Sequence, residues 1–270
     1  MKISLYYFSG TGNTAWMAQR LAERLADLGD EVTALSCEEI SASAVDLAAC
    51  DVMGIAFPVH ASFAPPVFRD FLTALPPGEG KALFAVTTSG YAAGDTAWYA
   101  VKPLQDKGYE PFLLSDVVIG NNFYIPPLDF LPVTPPEKMP KNLDKARRKI
   151  ADLAELVHRR KAHVKGAGPL GRLMGISQRW SMHFEAFVFK GFFADETCTR
   201  CGWCARHCPT NNIKMNGAGV EFLGNCTHCM RCYSFCPEQA IQATEKTKNL
   251  AKYRRYQGPE GKRYPSKRSV

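Results

Sequence analysis

Eight of the ten cysteines in this chain fall in one stretch, between residues 198 and 237. The stretch holds two copies of the spacing C-x2-C-x2-C-x3-C-P, joined by a short spacer. The eight residues are Cys198, Cys201, Cys204, Cys208, Cys226, Cys229, Cys232 and Cys236. Structural zinc usually takes two separated C-x2-C pairs or mixes cysteine with histidine, and disulfides need an oxidising compartment. Four thiols in one compact run, occurring twice, therefore favour iron–sulfur clusters over either alternative.

This doubled run is similar to that of bacterial ferredoxins that carry two [4Fe–4S] clusters. In that family the fourth cysteine of each run ligates the other cluster. The resemblance therefore implies two crossed ligand sets, which we name after their clusters. Cluster I would be held by Cys198, Cys201, Cys204 and Cys236, and cluster II by Cys226, Cys229, Cys232 and Cys208.

A second candidate site lies near the N-terminus, where a strand-like run leads into a turn rich in glycine and hydroxyl groups. Residues 2–8 read KISLYYF, which is typical of a buried parallel strand, and a helical pattern covers residues 15–28. The turn between them consists of Ser9, Gly10, Thr11, Gly12, Asn13 and Thr14. Backbone N–H groups and the positive end of a helix bind anions at such a turn, and the hydroxyls can donate to phosphate oxygens. The turn lacks the glycine and lysine patterns of NAD and ATP sites.

The string FSGTGNT resembles the phosphate loop of flavodoxins, and the resemblance implies an FMN site in a doubly wound fold. The downstream pattern predicts strands at 31–36, 51–57, 82–88 and 112–119, alternating with helices, and a closing helix at 143–164. Alternation of this kind implies a right-handed parallel sheet. We therefore predict an α/β, flavodoxin-like parallel sheet of five strands in the order 2-1-3-4-5, followed by a small α+β ferredoxin domain with two [4Fe–4S] clusters.

In flavodoxins the loops after strands three and four hold the flavin ring. By position, the resemblance assigns two groups of ring-contacting residues to this chain. They are Pro58, Val59, His60, Ala61 and Ser62 in the first loop, and Thr88, Ser89, Gly90, Tyr91, Gly94 and Asp95 in the second. Tyr91 is the expected stacking aromatic, because the first loop lacks the usual tryptophan. His60 could hydrogen-bond the flavin or act as an acid, although a lone loop histidine more often does neither.

The pattern divides the chain into four parts. Residues 1–165 are predicted to form the FMN-binding domain, and residues 194–245 the ferredoxin domain. The connector at 166–193 mixes aromatic and charged residues, so it could lie on a membrane surface or, as we expect, pack the two domains together. Residues 246–270 form a basic tail: a solubilising end, a docking arm for an acidic redox partner, or a segment that folds back through residues 252–256.

The charge and the apolar content argue against nucleic acid as a partner and against a membrane-spanning segment. The formal charge is +7, but the tail alone carries nine basic residues against Glu260, so the rest of the chain sums to −1. Clusters ligated by thiolates and an FMN phosphate would add negative charge, so the basic balance does not indicate nucleic-acid binding. No apolar run reaches the length of a membrane span, and the N-terminus leads directly into a strand rather than an export signal. We expect a cytoplasmic protein.

Together the two resemblances cover nearly the whole chain, which is similar to fused flavodoxin–ferredoxin proteins of the EFR1-family ferredoxins. The resemblance implies an intracellular electron-transfer flavoprotein that passes electrons between two [4Fe–4S] clusters and FMN, with redox proteins as donor and acceptor. The alternative is an FMN-dependent reductase of an organic substrate, fed by its own ferredoxin domain. A redox sensor or scaffold is a third possibility, for which the basic tail is the only candidate surface. No nucleophile motif or acid–base pair accompanies the flavin loops, so no catalytic residue is predicted.

Overall fold

The computed structural model describes residues 1–126, 129–188, 191–217 and 219–261, and the side chains of these residues apart from those of 181–188. The strands are β1 (Lys2–Tyr7), β2 (Glu31–Ser36), β3 (Val52–Pro58), β4 (Ala82–Ser89), β5 (Glu110–Val118), β6 (His163–Val164), β7 (Phe193–Ala194), β8 (Ile213–Asn216), β9 (Gly219–Phe222) and β10 (Ile241–Gln242). The α-helices are α1 (Asn13–Asp27), α2 (Pro66–Ala74), α3 (Thr96–Asp106), α4 (Met139–His158), α5 (Pro169–Val188), α6 (Trp203–Arg206) and α7 (Arg231–Phe235).

The large sheet is parallel, with the strand order β2-β1-β3-β4-β5-β6. The first five strands match the predicted order, and the sixth is an addition to it. The predicted closing helix ran to residue 164, but α4 ends at His158 and Arg160 adopts a left-handed φ of 47°. The chain then turns back along the sheet, so that His163 pairs with Leu113 of β5. Because β6 has only two residues, it leaves no periodic signal in the sequence.

Successive strand residues face opposite sides of the sheet, and each side is covered by two helices. Ile3 and Leu5 of β1 pack in one core with α1 and α4, whereas Tyr6 packs in the other core with α2 and α3. The parallel strands place the loops after β1, β2, β3 and β4 at one edge, where a doubly wound fold binds its ligand.

The C-terminal part forms a small module with its own core. Strands β8 and β9 pair as an antiparallel hairpin, and β7 pairs with β10. The core of this module includes Phe192, Tyr233 and Ile241, and it also takes in Ile125 from the proline-rich segment after β5. The module is therefore packed against the large domain rather than tethered to it.

No helix in the described part of the chain is long and apolar enough to cross a membrane.

The basic tail is packed against the protein as far as Gly261. Tyr253 and Tyr256 are 2% exposed, and Arg255 lies with its guanidinium carbon 3.5 Å from the centre of the Tyr233 ring. Of the three possibilities for the tail, this segment adopts the one in which residues 252–256 fold back on the protein. Tyr256 enters the core between the sheet, α1 and α4, and its hydroxyl donates to Asn13 Oδ1 over 2.5 Å.

Truncating Tyr256 should therefore destabilise the large domain. Tyr256→Ala removes a fully buried ring, and we expect a loss of about 3–5 kcal/mol in the free energy of unfolding. Tyr256→Phe is the matched control, because it keeps the ring and loses only the bond to Asn13, which costs about 1 kcal/mol. Urea unfolding of the anaerobic protein, followed by circular dichroism, measures both. Wild-type stability of Tyr256→Ala would contradict the packing of the tail.

Candidate functional site

The turn after β1 is closed on itself and held in place by side chains from elsewhere in the sequence. Gly12 has a φ of 100°, a conformation that favours glycine, and its N–H donates to Ser9 Oγ over 3.2 Å. Thr11 and Thr14 are buried. Helix α1 starts directly after Gly12, so the N–H groups of its first turn lack intrahelical acceptors and face the turn. The geometry is that of an anion site at a helix N-terminus.

Two residues that sequence reasoning missed fix the hydroxyl and amide groups of this turn. Asn122 Nδ2 donates to Thr11 Oγ1 over 2.6 Å, and Asn13 receives the hydroxyl of Tyr256. Asn13 Nδ2 in turn donates to the carbonyl of Gly120. Asn122 and Tyr256 lie more than a hundred residues away in sequence, so no local pattern could have indicated them.

The loop after β3 makes a tight turn at the same edge. His60 and Phe63 exchange two backbone hydrogen bonds of 3.0 and 2.8 Å, and the two residues between them, Ala61 and Ser62, have φ values of 45° and 62°. Neither is glycine, so each costs about 1–2 kcal/mol in backbone strain. Strain of this kind concentrates at ligand sites, which agrees with the predicted role of the loop.

The loop after β4 provides the observation that fits a bound flavin. The hydroxyls of Thr14 and Thr88 lie 2.7 Å apart, which joins this strand to the anion turn. The Ser89 hydroxyl next to it is buried and has no hydrogen-bond partner among the described residues. A buried hydroxyl without a partner costs about 1–3 kcal/mol, which a bound polar ligand recovers. The donor set therefore fits FMN. Tyr91, the predicted stacking residue, is 52% exposed.

The connector helix α5 contacts both ring loops. Arg179 donates to both carboxylate oxygens of Asp95, over 2.6 and 2.8 Å, and to the carbonyl of Ser62 over 3.3 Å. The hydroxyl of Ser62 donates to Gln178 over 2.6 Å. The side chains of Ser62 and Asp95, predicted to contact the flavin, are thus bonded to this helix. The other face of α5 exposes Leu170, Leu173, Ile176 and Trp180.

His60 is uncharged at neutral pH. Burial, together with the nearby charges of His228 and Arg69, lowers its pKa to about 4. An imidazole with this pKa carries no positive charge at pH 7 and can only act as a neutral hydrogen-bonding group. His228 belongs to the second cysteine run, so the interaction also places that run beside the loop after β3.

The two cysteine runs have left-handed residues at the same positions. Left-handed φ values occur at three equivalent pairs of positions: Arg200 and His228, Gly202 and Met230, Asn211 and Gln239. Left-handed residues turn the chain sharply, so that the cysteines on either side can point to one centre. Five of these six are not glycine, and the repetition of the strain indicates two equivalent ligand loops.

Three cysteines of the first run and one of the second lie around one small cavity. They are Cys198, Cys201, Cys204 and Cys236. Burial, together with the charges of the other three, raises the pKa of the Cys204 thiol to about 11. Burial likewise raises the pKa of Cys226 to about 12, with Cys229 and Cys208 as the neighbouring charges. Thiols with such pKa values ionise when metal replaces the proton.

Backbone N–H groups donate to the sulfur atom of the fourth cysteine in each run. The N–H of Asn212 donates to Cys208 Sγ over 3.2 Å, and the N–H of Ala240 donates to Cys236 Sγ over 3.3 Å. Both amides lie four residues after their cysteine. Such N–H bonds stabilise thiolates and raise the reduction potential of a cluster. The residues present therefore fit iron–sulfur ligation.

The second cysteine run is in direct contact with the anion turn of the large domain. A methyl group at Gly10 would lie 2.2 Å from the carbonyl oxygen of Cys229, so only glycine permits this approach. Thr227 Oγ1 accepts the N–H of Val67 at the start of α2, and Cys229 is buried in the core that α2 and α3 share. Gly10, predicted as an FMN contact, thus makes room for the cysteine loop.

Arg231, which lies between Cys229 and Cys232, stabilises this contact. Its guanidinium donates to the carbonyls of Ser9, Gly10 and His207, and to both oxygens of Glu38, over 2.7–3.2 Å. The side chains of Arg231 and Glu38 are 5% and 7% exposed. Burial lowers the pKa of Arg231, but its bond to Glu38 and the charge of Cys229 raise it overall. The residue joins the anion turn, the loop after β2 and both cysteine runs.

The fold and the site define a flavodoxin-like domain joined to an iron–sulfur module. Residues 4–124 match the family model of a flavodoxin domain, and residues 190–237 match that of a 4Fe-4S dicluster domain. A flavodoxin domain and a 4Fe-4S dicluster domain in one chain support an iron–sulfur flavoprotein in electron transfer that binds FMN and an iron–sulfur cluster. No curated protein matches the chain.

Solved structures that resemble the chain include three bacterial flavodoxins. That of Megasphaera elsdenii is 24% identical, with 54% of this chain and 98% of that chain covered and a TM-score of 0.38. The flavodoxin of Streptococcus pneumonia TIGR4 is 21% identical, with 57% and 99% covered and a TM-score of 0.40. Flavodoxin 1 of Bacillus cereus is 19% identical, with 57% and 98% covered and a TM-score of 0.41.

Proposed function

We propose that the chain is an electron carrier that passes electrons between two [4Fe–4S] clusters and FMN held in one rigid unit. Residues 1–165 would bind FMN, and residues 194–245 would hold the clusters through the crossed cysteine sets. Clusters exchange single electrons, whereas FMN can exchange one or two. The fusion can therefore serve one-electron and two-electron partners. The observation that carries the proposal is the contact of Cys229 with Gly10, fastened by Arg231.

The contacts also give the order of the centres. Cysteines of cluster II touch the anion turn, whereas Cys201 of cluster I is exposed. A redox protein would therefore exchange electrons at the surface around Cys201, with cluster II between that surface and FMN. Because eight thiolate ligands persist only in a reducing compartment, we assign the chain to the cytoplasm.

The alternative, an FMN-dependent reductase of an organic substrate, needs an approach to the flavin ring. Arg179 and Gln178 of α5 bond to both ring loops, which favours the carrier. The protein is reduced beforehand and then mixed with a small organic acceptor or with a protein acceptor. Oxidation by the small acceptor alone would favour the reductase instead.

Removal of two hydroxyls from the anion turn tests the FMN site. Replacing Thr11 and Thr14 together with valine should weaken FMN binding roughly a hundredfold, because each removes a hydrogen bond to a charged phosphate. Thr73→Val, at an exposed position of α2, is the control and should leave the affinity unchanged. Fluorescence titration of the flavin-free protein measures the dissociation constants. Equal affinity in the double variant would place the phosphate outside this turn.

A further inference from the structure

A groove of about 1050 Å³ lies outside the FMN loops and adjoins the cluster I cavity. One wall is the start of α4 with the segment before it, and the other is the tail from Leu250 to Gly261. The end of α7 forms the floor, where Cys236 lines both this groove and the cluster I cavity. Its volume is at the upper end of the range for small-molecule sites, which are mainly apolar with a few convergent polar groups.

Two buried side chains that line the groove, Arg255 and Ser234, have donors without partners among the described residues. Arg255, 8% exposed, uses Nη2 for the carbonyls of Gln239 and Ile241 and for Gln242, but its Nε and Nη1 have no hydrogen-bond partner among the described residues. The hydroxyl of Ser234, which is 7% exposed, is also unpartnered.

The hydrogen bonds of Arg255 go to carbonyl and amide oxygens, and none in the described chain goes to a carboxylate. Burial lowers its pKa to about 10, and the charge of Asp195 opposes this shift. Unmet buried donors cost free energy, most of all on a charged group, unless a ligand supplies acceptors. Arg254 and Arg147 also line the groove, and Arg147 already pairs with Asp144 and Glu260.

We propose that this groove binds a small organic anion, whose carboxylate or phosphate group accepts from Arg255 and Ser234 and whose apolar part lies against Met139 and Leu143. The site is separate from FMN and is next to Cys236. An anion there adds negative charge beside cluster I and makes its reduction less favourable. By linkage, the anion binds more weakly to the reduced protein than to the oxidised protein. This redox coupling rests on the proposed cluster, whereas the binding itself does not.

Calorimetry on the anaerobic, FMN-loaded, full-length protein tests the site with phenyl phosphate, benzoate and the neutral benzamide. We expect one of the two anions to bind at millimolar concentration and benzamide not to bind. Arg255→Gln should weaken that binding about tenfold or more, since it removes a bond to a charged group, and Ser234→Ala about two- to tenfold. Arg159→Gln, an exposed arginine of the region after α4, is the matched control and should bind as the wild type does.

Ser234→Ala and Arg254→Gln keep the test open if Arg255→Gln does not fold, because neither residue has a structural bond to lose beyond its backbone. Failure of both anions to bind the wild-type protein would overturn the proposal, and so would unchanged affinity in Ser234→Ala and Arg254→Gln. If the anion binds but its affinity does not fall on reduction, the site stands and the neighbouring cluster assignment fails.

Discussion

Arg231→Met should uncouple the iron–sulfur module from the FMN site. The variant loses the bonds to the carbonyls of Ser9 and Gly10, and it leaves Glu38 as an unpaired buried carboxylate. Removal of one partner of a buried ion pair costs about 3–5 kcal/mol. We expect slower electron transfer between clusters and FMN, together with a lower reduction potential of cluster II, because a positive charge beside Cys229 is lost. Laser-flash reduction and a redox titration measure these changes.

Two further variants, each with a control, separate positioning from stability. Glu38→Leu with Arg231→Met removes both charges, so it should recover most of the lost stability but not the electron-transfer rate. Arg206→Met is the control in the first cysteine run, where the exposed side chain has one hydrogen bond among the described residues, to the carbonyl of Cys201. Gly10→Ala, compared with Gly168→Ala in open space, should slow transfer without any change of charge. A wild-type rate in both Arg231→Met and Gly10→Ala would refute the docking role.

Cys208→Ser and Cys236→Ser should each lose the cluster of the opposite run. The anaerobic wild-type protein is expected to hold about eight iron and eight sulfide, and each variant about half as much. In Cys208→Ser the lost cluster should be cluster II, because the sulfur of Cys208 lies with Cys226, Cys229 and Cys232. Cys236→Ser should lose cluster I instead.

Electron paramagnetic resonance of the reduced variants distinguishes the two outcomes, since the surviving clusters differ in exposure and surroundings. Arg231 lies beside cluster II, so a further Arg231→Met change should alter the signal that survives in Cys236→Ser and leave the one in Cys208→Ser unaltered. The reverse assignment would show that each run ligates its own cluster.

Features that depend on neighbouring residues in sequence could be predicted. The apolar runs indicated all five main strands, and the resemblance to flavodoxins implied their order. The short turn from Ser9 to Thr14 indicated an anion site at a helix N-terminus. The equivalent left-handed residues of both cysteine runs follow the repeated spacing. These patterns are local, so composition and spacing carry the information.

Features that depend on distant contacts could not be predicted. Arg231 and Glu38 are 193 residues apart, and an arginine inside a cysteine run looks like a surface charge. The position of Asp95 in its loop gives no sign of its ion pair with Arg179, which is 84 residues away in sequence. Tyr256 lies in a basic, glycine-containing tail that resembles a disordered segment, yet its ring completes the core beside α1. In each case the role depends on burial and on a distant partner, and neighbouring residues in sequence indicate neither.

Transfer of electrons within one molecule is the central claim, and single-turnover reduction tests it most directly. The anaerobic protein, loaded with clusters and FMN, is given less than one electron per chain by a viologen radical, and cluster and flavin absorbance are followed. We expect the absorbance of the clusters to recover as that of FMN bleaches, with a rate constant that does not depend on protein concentration and that falls in Arg231→Met. A rate proportional to protein concentration, or no exchange between the two signals, would contradict the account.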